Sequence, residues 1–339
     1  MVSMLTSENN RPIISIVIPC RNEENFIEKC IYSLLGQEGI NGEIEILVAD
    51  GMSNDKTREI VTKIAADDRR VKLLDNIQLS TPHALNMGIK NANGEYVAIL
   101  GAHSDYSKSY LASCLNILNK YPDVSCAGGP IESLGRNDFA KATAIAMSSY
   151  IGVGNANHRF PNYEGYAEMA CFPVFRKEVF DKFGLYDETL IKNQDDEFCF
   201  RINKNGGKVF ISSSAKSNYY VRESPKELFK QYFDYGFWRV AVLKKHKVPI
   251  SYRQQIPILF FLTMLILLIL GFVTHNFILS AFFPITYISL ISIFGFKTLF
   301  VQKFSVAIRV PLAVFILHFS YACGFFIGII KFLILNKSK

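Results

Sequence analysis

Short apolar runs alternate with amphipathic stretches in the first hundred residues of the chain. Apolar and β-branched residues dominate four runs, which we predict as strands at 13–19, 43–50, 71–75 and 95–100. Between the first three runs, residues 24–35 and 56–65 carry apolar side chains at helical spacing. This order of elements predicts an α/β fold, with a mostly parallel sheet and helices on both faces. Ligands of such sheets bind at the carboxyl ends of the strands.

The last third of the chain has a different pattern, with long uncharged segments. No Asp, Glu, Lys or Arg occurs from Gln254 to Phe296 or from Val310 to Ile330. A bilayer core of ~30 Å is crossed by about 20 apolar residues in a helix. The sequence therefore predicts three membrane helices, at 256–273, 277–296 and 310–330. The alternative, buried helices of a large soluble core, fits uncharged runs of this length poorly.

Charge indicates which side of the membrane the rest of the chain occupies. Six Lys and Arg and no acid follow Arg253, so only +1 of the net charge of +7 belongs to residues 1–253. A nearly neutral domain is not expected to bind nucleic acid. Basic residues at 244–247 and Arg253 precede the first predicted span, and short basic flanks stay in the cytoplasm. The start of the chain shows no secretion signal.

These patterns predict a multi-pass protein of the cell membrane. We expect a flexible segment at 1–11, a cytosolic catalytic domain at 12–245 and a membrane region at 246–339.

Polar side chains follow three of the four predicted strands. Residues 19–24 follow the first strand, residues 50–57 the second and residues 101–105 the fourth. Together they predict one polar rim, suited to a base, a ribose and a metal-bridged diphosphate. Each loop taken alone is also explained by turn and cap chemistry, with Asp55 as an N-cap and Gly51 as a turn residue.

Four segments, in their order along the chain, resemble the family 2 inverting glycosyltransferases, which have the Rossmann-like GT-A fold. They are SIVIPCRNEENFIEKCIYSLLGQ, VADGMSNDKT, ALNMGIKNANGEYVAIL and QDDEFCFRI. They are most similar to the branch that contains the succinoglycan-biosynthesis glucosyltransferases. The resemblance covers residues 12–245 and, more weakly, the last predicted span. It implies an enzyme that transfers a hexose from a nucleotide sugar, a UDP-sugar by preference, with a divalent metal as cofactor.

The resemblance implies roles for the residues that match the family's motifs. Those that would line the nucleotide-sugar site are Pro19, Asn22, Glu23, Asp50, Asn86 and Gly88. Asp195 matches the position of the catalytic base, and Asp196 and Glu197 would follow it on the acceptor side. Inversion at an anomeric carbon requires one carboxylate to take the proton of the attacking hydroxyl. The alternative is that this acidic cluster only stabilises the start of a helix.

The stretch after the fourth strand departs from the family's pattern. It puts Gly101 at the first aspartate position and His103 at the second, with Asp105 just beyond. Imidazole is an acceptable ligand for Mn²⁺ and a poor one for Mg²⁺. We interpret His103 and Asp105 as ligands of a divalent metal, Mn²⁺ or Mg²⁺. The alternative is that His103 only packs in a turn.

A second departure concerns the acceptor side. Processive synthases of this class carry Gln-x-x-Arg-Trp, whereas here Gln231 is followed by Trp238 and Arg239 in reversed order and at wider spacing. We expect these three residues on a helix at the head groups that borders the acceptor, although an interfacial aromatic belt is the alternative.

A membrane-bound transfer domain suggests a lipid-linked acceptor, such as a polyprenyl-diphosphate-linked saccharide, in polysaccharide or glycan biosynthesis. Two other functions stay open: a processive polysaccharide synthase, and a non-catalytic membrane scaffold of the same fold.

Overall fold

A computed structural model of the protein describes residues 12–248 and 251–335. The predicted flexible segment at 1–11 lies outside these residues. The chain divides into two compact units. Unit 1 consists of Met1–Ile131 and Pro161–Tyr219, and unit 2 consists of Glu132–Phe160 and Tyr220–Lys339.

The elements have the following bounds in chain order. The strands are β1 Ile14–Cys20, β2 Ile44–Asp50, β3 Val71–Asp75, β4 Tyr96–Ile99, β5 Ser104–Tyr106, β6 Val124–Gly129, β7 Ile131–Leu134, β8 Gly165–Ala167, β9 Cys171–Arg176, β10 Lys208–Ile211 and β11 Ser217–Tyr220. The helices are α1 Ile27–Leu35, α2 Thr57–Asp67, α3 Thr81–Asn91, α4 Tyr110–Lys120, α5 Asp138–Met147, α6 Tyr150–Val153, α7 Glu178–Phe183, α8 Gln194–Lys204, α9 Pro225–His246, α10 Ile256–Val273, α11 Phe277–Thr298, α12 Phe304–Ala307 and α13 Val310–Gly328. Short 3₁₀ segments lie at Asn157–Arg159 and Tyr252–Gln255, and a π-helical segment at Ile329–Ile334 continues α13.

Unit 1 is built on an eight-stranded sheet with the order β3-β2-β1-β4-β9-β6-β10-β8. Strand β1 pairs in parallel with β2 and β4, β2 with β3, and β10 with β6. Strand β9 runs antiparallel to both β4 and β6. The predicted α/β class and mostly parallel sheet are therefore confirmed. The antiparallel β9 in the middle of the sheet was not predicted.

Both faces of this sheet are covered, as the buried strand sequences require. Side chains alternate along β1, so Ile16 and Ile18 join the core cluster that includes α1, α2 and α4. Val17 points to the other face, where α3, α7 and α8 supply the apolar partners. The register aligns the last residues of β1 and β2, Cys20 with Asp50. The loops that follow these strands therefore leave the sheet at the same edge.

Unit 2 is helical around α9 and α13. Three of its segments are long and apolar enough to cross a membrane: Tyr252–Val273, Ser280–Thr298 and Phe304–Ile334. Strong apolar exposure on α10, with Phe272 76% and Leu259 60% exposed, agrees with a lipid environment.

Glycines set the close approach of α9 to α13. A Cβ atom added at Gly236 of α9 would lie 2.0 Å from the carbonyl oxygen of Tyr321 on α13. Added at Gly324 or Gly328, it would lie 2.0 and 2.6 Å from the carbonyl oxygens of Phe233 and Phe237. Gly324 and Gly328 form a G-x-x-x-G spacing, which lets two backbones meet in a membrane.

Candidate functional site

The loops after β1 and β2 are joined by hydrogen bonds. The backbone N–H of Asn22 donates to Ser53 Oγ at 2.8 Å, and Asn54 N–H donates to Asn22 Oδ1 at 3.0 Å. Asn22 has φ of 57°, a left-handed conformation that asparagine tolerates better than most residues. Pro19 lies one residue before the end of β1 and is half-buried. The sequence-predicted residues Pro19 and Asn22 thus lie on the rim at the carboxyl edge of the sheet.

Asp50 ends β2 with no exposed side-chain surface. Its carboxylate accepts hydrogen bonds from the Ser53 N–H at 2.9 Å and from the Ser53 hydroxyl. Arg58 Nη1 pairs with it at 2.7 Å, while Arg58 Nη2 pairs with Asp75 at 2.7 Å. Hydrogen bonds to these two carboxylates raise the pKa of Arg58. Asp50 therefore fixes Ser53 and Arg58 at the rim, and these are the groups that reach the surface.

Glu23 and His103 form a carboxylate–imidazole pair. Glu23 Oε1 lies 2.8 Å from His103 Nε2, and the edge of the Phe26 ring packs against the imidazole at a centroid distance of 5.0 Å. Glu23 Oε2 is buried and makes no hydrogen bond in the structure. A buried acceptor oxygen without a donor indicates a place for an ion or ligand.

The pair fits what a metal site requires. Histidine ligands of metals usually donate their other ring N–H to a carboxylate, which fixes the tautomer. With Nε2 donating to Glu23, Nδ1 of His103 carries the lone pair that a metal would accept. Among the residues that the structure describes, no three His, Cys, Asp or Glu side chains form a ready metal cluster. His103 Nδ1 is thus the atom of this pair that could bind a metal, while Glu23 would orient the ring.

Asp105 has a different partner from this pair. It lies in β5, which pairs with β11 through Asn218, and its Oδ2 lies 2.6 Å from Lys29 Nζ. The Lys29 side chain is 70% exposed, so water screens this ion pair. A metal bound by Asp105 would share this carboxylate with the Lys29 ammonium.

The turn at Gly101 is closed by aromatic side chains. The Tyr106 hydroxyl accepts from the Gly101 N–H at 2.7 Å and donates to its carbonyl at 3.0 Å. A Cβ added at Gly101 would lie 3.0 Å from Cε1 of Phe172. Phe172 itself has φ of 50°, an uncommon conformation for an aromatic residue. The Phe172 ring therefore fills the space next to Gly101 into which an aspartate side chain would extend.

Two of the predicted donor-site residues have packing contacts. Asn86 bonds the backbone N–H and carbonyl of Tyr186, each at 2.9 Å, and the carboxylate of Glu188 at 2.9 Å. A Cβ at Gly88 would lie 2.2 Å from Cγ1 of Val17, so glycine lets α3 lie against β1. In this structure both residues hold α3 in place beneath the rim.

The acidic cluster lies in the first turn of α8. Asp195 is exposed and its Oδ1 accepts from the Asp196 N–H at 2.9 Å, while Asp196 is half-buried. Glu197 has no exposed surface and pairs with Arg201 at 2.9 Å. Arg201 also donates to the carbonyls of Phe183 and Leu185, at 2.6 and 2.8 Å. Glu197 thus faces the interior, and Asp195 faces solvent.

The other residues predicted on the acceptor side, Gln231, Trp238 and Arg239, lie in α9, in unit 2. Gln231 Nε2 donates to the Tyr235 hydroxyl at 3.1 Å. The Trp238 ring packs against Phe332 at a centroid distance of 5.6 Å. Arg239 is 3% exposed. The single predicted helix is present and these side chains pack mainly within unit 2.

Sequence reasoning missed Ser53, Arg58 and Phe172. Ser53 and Arg58 follow Asp50 closely, so a polar loop ahead of a helix was a usable signal for both. Phe172 gave no signal, because it lies 71 residues beyond Gly101 and meets it only through the β4–β9 pairing.

An open, mostly parallel sheet with a polar rim, followed by three candidate membrane helices, defines a membrane-associated GT-A-type enzyme. Residues 15–184, half of the chain, match the family described as Glycosyl transferase family 2. The protein belongs to this family, and it is a glycosyltransferase of the inverting class. The family prediction made from the four sequence segments is confirmed.

Two named proteins and one solved structure are similar to this chain. The chain is 33% identical over 251 residues to the succinoglycan biosynthesis protein ExoA of Rhizobium meliloti, covering 72% of this chain and 74% of that protein. It is 28% identical over 325 residues to the dolichyl N-acetyl-alpha-D-glucosaminyl phosphate 3-beta-D-2,3-diacetamido-2,3-dideoxy-beta-D-glucuronosyltransferase of Methanococcus voltae, covering 94% and 97%. The fold is similar to that of mannosyltransferase PcManGT from Pyrobaculum calidifontis in complex with GDP-Man and Mn²⁺, with a TM-score of 0.64, 15% identity and coverage of 93% and 87%.

Proposed function

We propose that the protein transfers one hexose from a nucleotide sugar, a UDP-sugar, to a lipid-linked saccharide with inversion, in polysaccharide or glycan biosynthesis. The observation that carries this proposal is the polar rim of unit 1, where Ser53 joins Asn22 to Asp50, and Glu23 bonds Thr57 and pairs with His103. The printed names of two relatives, a dolichyl-linked sugar transferase and a succinoglycan biosynthesis protein, support the acceptor class.

Asp195 is the proposed catalytic base. Its carboxylate is exposed, as a group that must take a proton from an incoming hydroxyl has to be. It lies in the first turn of α8, at the helix end that carries partial positive charge. Asp196 lies beside it on the proposed acceptor side. Glu197 acts in this proposal through its ion pair with Arg201, which holds α8 in place.

The donor would lie on the rim. Asn22 and Pro19 border the nucleoside, and Asp50 acts on the base through Ser53 and Arg58, which it holds. His103 and Asp105 are the residues that would hold a divalent metal, and Glu23 would orient the His103 ring. Such a metal, when bound, supplies positive charge to the diphosphate leaving group. The imidazole in this set favours Mn²⁺ over Mg²⁺.

The membrane region would bring the enzyme to its acceptor. We propose a catalytic domain at 12–245 in the cytosol and a membrane region at 246–339 of the cell membrane. Helix α9 would lie at the head groups, with Gln231 and Trp238 bordering the acceptor. Arg239 would act through the packing of α9, since it is almost fully buried.

Replacement of the base tests the proposal. Asp195→Asn keeps the size of the side chain but removes the proton acceptor. We expect transfer from a UDP-sugar to fall by a factor on the order of 10² to 10⁴, while nucleotide affinity stays constant. Asp123→Asn is a matched control, because Asp123 is an exposed acid of unit 1 paired with Lys208.

Three outcomes would contradict parts of the proposal. Normal transfer by Asp195→Asn would exclude it as the base. A wild-type protein that binds nucleotide but transfers nothing would indicate a scaffold. Products that grow by many sugars on one acceptor would indicate a processive synthase.

A further inference from the structure

Residues 132–160 belong to unit 2 although the chain on either side belongs to unit 1. Helix α5 in this excursion is rich in alanine, and Ala140, Ala142, Ala144 and Ala146 are buried. Small side chains allow close packing of helices, and α5 packs against α12 and α13. The excursion therefore delivers the following segment, residues 149–160, to the membrane helices.

Polar contacts join this segment to α13 and to Arg253, which precedes α10. The Gly152 carbonyl lies 3.2 Å from His318 Nε2 of α13, and His318 Nδ1 lies 3.0 Å from the Tyr287 hydroxyl of α11. Arg253, just before α10, donates from Nη1 to the Val153 carbonyl at 3.3 Å. Polar side chains within membrane segments carry a cost and commonly mark functional sites.

Cationic groups converge on the same segment. The Arg253 side chain lies against Gly154, where an added Cβ would be 3.7 Å from Arg253 Cβ. His158 is buried, and burial, followed by the positive charges of Arg159 and Arg253, holds the pKa of His158 well below its usual range. His158, its sequence neighbour Arg159 and Arg253 therefore lie near one another in unit 2.

The place lies beside the start of the first candidate membrane span, which would put it near the lipid head groups. Arg253 is the second residue of the first candidate membrane span, Tyr252–Val273. Tyr150 is 71% exposed and stacks on Phe160 at a centroid distance of 4.6 Å, and tyrosine is enriched at membrane interfaces. A ligand here would have a charged head beside an apolar chain.

We propose that His158, Arg159 and Arg253 bind the diphosphate of the polyprenyl carrier to which the acceptor saccharide is attached. This site rests on the proposed lipid-linked acceptor and adds a binding site for the carrier itself. Guanidinium groups bind phosphate oxygens in a bidentate manner, and an imidazole N–H adds one further hydrogen bond. Two guanidinium groups match a diphosphate better than the single phosphodiester of a phospholipid.

Direct binding of the carrier tests this site. The full chain in neutral detergent would be titrated with a polyprenyl diphosphate, without nucleotide sugar, and Kd measured. We expect Arg253→Gln and Arg159→Gln to raise Kd on the order of tenfold or more. Arg253→Lys should give a smaller increase, because it keeps the charge and loses the bidentate geometry. Lys303→Gln, which removes a positive charge elsewhere in unit 2, should leave Kd unchanged.

Competition on the wild-type chain supplies a measurement that needs no variant. A labelled polyprenyl diphosphate would first be bound to the protein. Unlabelled polyprenyl diphosphate should displace it far more effectively than phosphatidylglycerol does. Equal displacement by phosphatidylglycerol, or an unchanged Kd in the folded Arg253→Gln and Arg159→Gln variants, would overturn the proposal. Carrier binding that depends on these arginines in a protein without transferase activity would contradict the proposed function alone.

Discussion

The two units of the protein use apolar side chains in opposite ways. In unit 1 they point inwards, and Ile16 and Val48 in the central strands have no exposed surface. In unit 2 many point outwards, with Phe272 76% and Val273 67% exposed on α10. The hydrophobic effect drives the first arrangement, because folding removes apolar surface from water. Only a lipid environment makes the second one stable, so the two units require different solvents.

The two units also differ in net charge. Unit 1 has 20 Lys and Arg against 25 Asp and Glu, a net charge of −5, whereas unit 2 has 17 against 5, a net charge of +12. From Tyr235 to Lys339 the sequence contains no acid at all. We infer that unit 1 depends on pairing its carboxylates, while unit 2 depends on close contact between helices and attracts anionic lipid.

The largest expected effect comes from breaking the buried ion pair of unit 1. Glu197→Ala leaves the Arg201 guanidinium without its carboxylate, which should cost about 3–5 kcal/mol of unfolding free energy. Asp68→Ala, which breaks the partly exposed pair with Arg70, should cost about 0–1 kcal/mol. Chemical denaturation of the detergent-solubilised protein measures both. Equal losses in the two variants would contradict the view that unit 1 depends on its buried carboxylates.

The local parts of the unit 1 fold could be predicted from sequence. Strands β1 to β3 are fully or partly buried runs ending in polar loops, and the predicted limits differ from the observed ones by one residue at most. Strand β9 could not be placed, because it pairs with β4 from a position about 80 residues further along the chain. The spacing of apolar residues indicates which face of a strand is buried, but it does not indicate which distant strand pairs with it.

The site was predictable in position but not in contacts. The polar strand ends identified Asp50 and Glu23 as rim residues, since the carboxyl ends of parallel strands share one edge. The sequence did not reveal that Arg58 would pair with Asp50, or that Glu23 would pair with His103. Such contacts depend on side-chain directions, which the two loops fix only after the sheet has formed.

The next largest loss of stability is expected at the contact between α9 and α13 in unit 2. Gly324→Leu inserts a side chain where Cβ alone would lie 2.0 Å from the Phe233 carbonyl oxygen. We expect a loss of about 1–3 kcal/mol, because overpacking forces the two backbones apart. Ile327→Leu is the control, since Ile327 of the same helix is 48% exposed. Thermal unfolding in detergent distinguishes them, and an unchanged transition in Gly324→Leu would exclude close backbone contact as the basis of unit 2.

A smaller effect is expected at the turn that departs from the family's pattern. Gly101→Asp restores the usual aspartate, but its Cβ would lie 3.0 Å from the Phe172 ring. The ring can shift, so we expect a loss of about 1 kcal/mol and no gain in Mn²⁺ affinity. Gly101→Asp combined with Phe172→Ala should bind Mn²⁺ more tightly than either single variant. Isothermal titration with Mn²⁺ and UDP checks this, and tighter binding by Gly101→Asp alone would show that Phe172 does not block the position.

The smallest expected effect is on stability at low pH. It should arise in unit 1, because the carboxylates of this unit are paired in the folded protein. Burial alone would raise the pKa of Glu45, but hydrogen bonds from Ser15, Asn93 and Lys72 outweigh it and hold that pKa below its usual 4.5. The unfolded chain therefore binds more protons, so the stability that ionised Glu45 contributes is present above pH 4.5 and lost as pH falls through the lower folded pKa.

Glu45→Gln should be less stable than wild type at pH 7, and this difference in stability should narrow below pH 4.5. Denaturation at a series of pH values measures the narrowing, and Glu43→Gln, at a half-exposed position, is the control. A difference between wild type and Glu45→Gln that stays constant from pH 7 to well below 4.5 would show that this carboxylate is not held ionised by its neighbours.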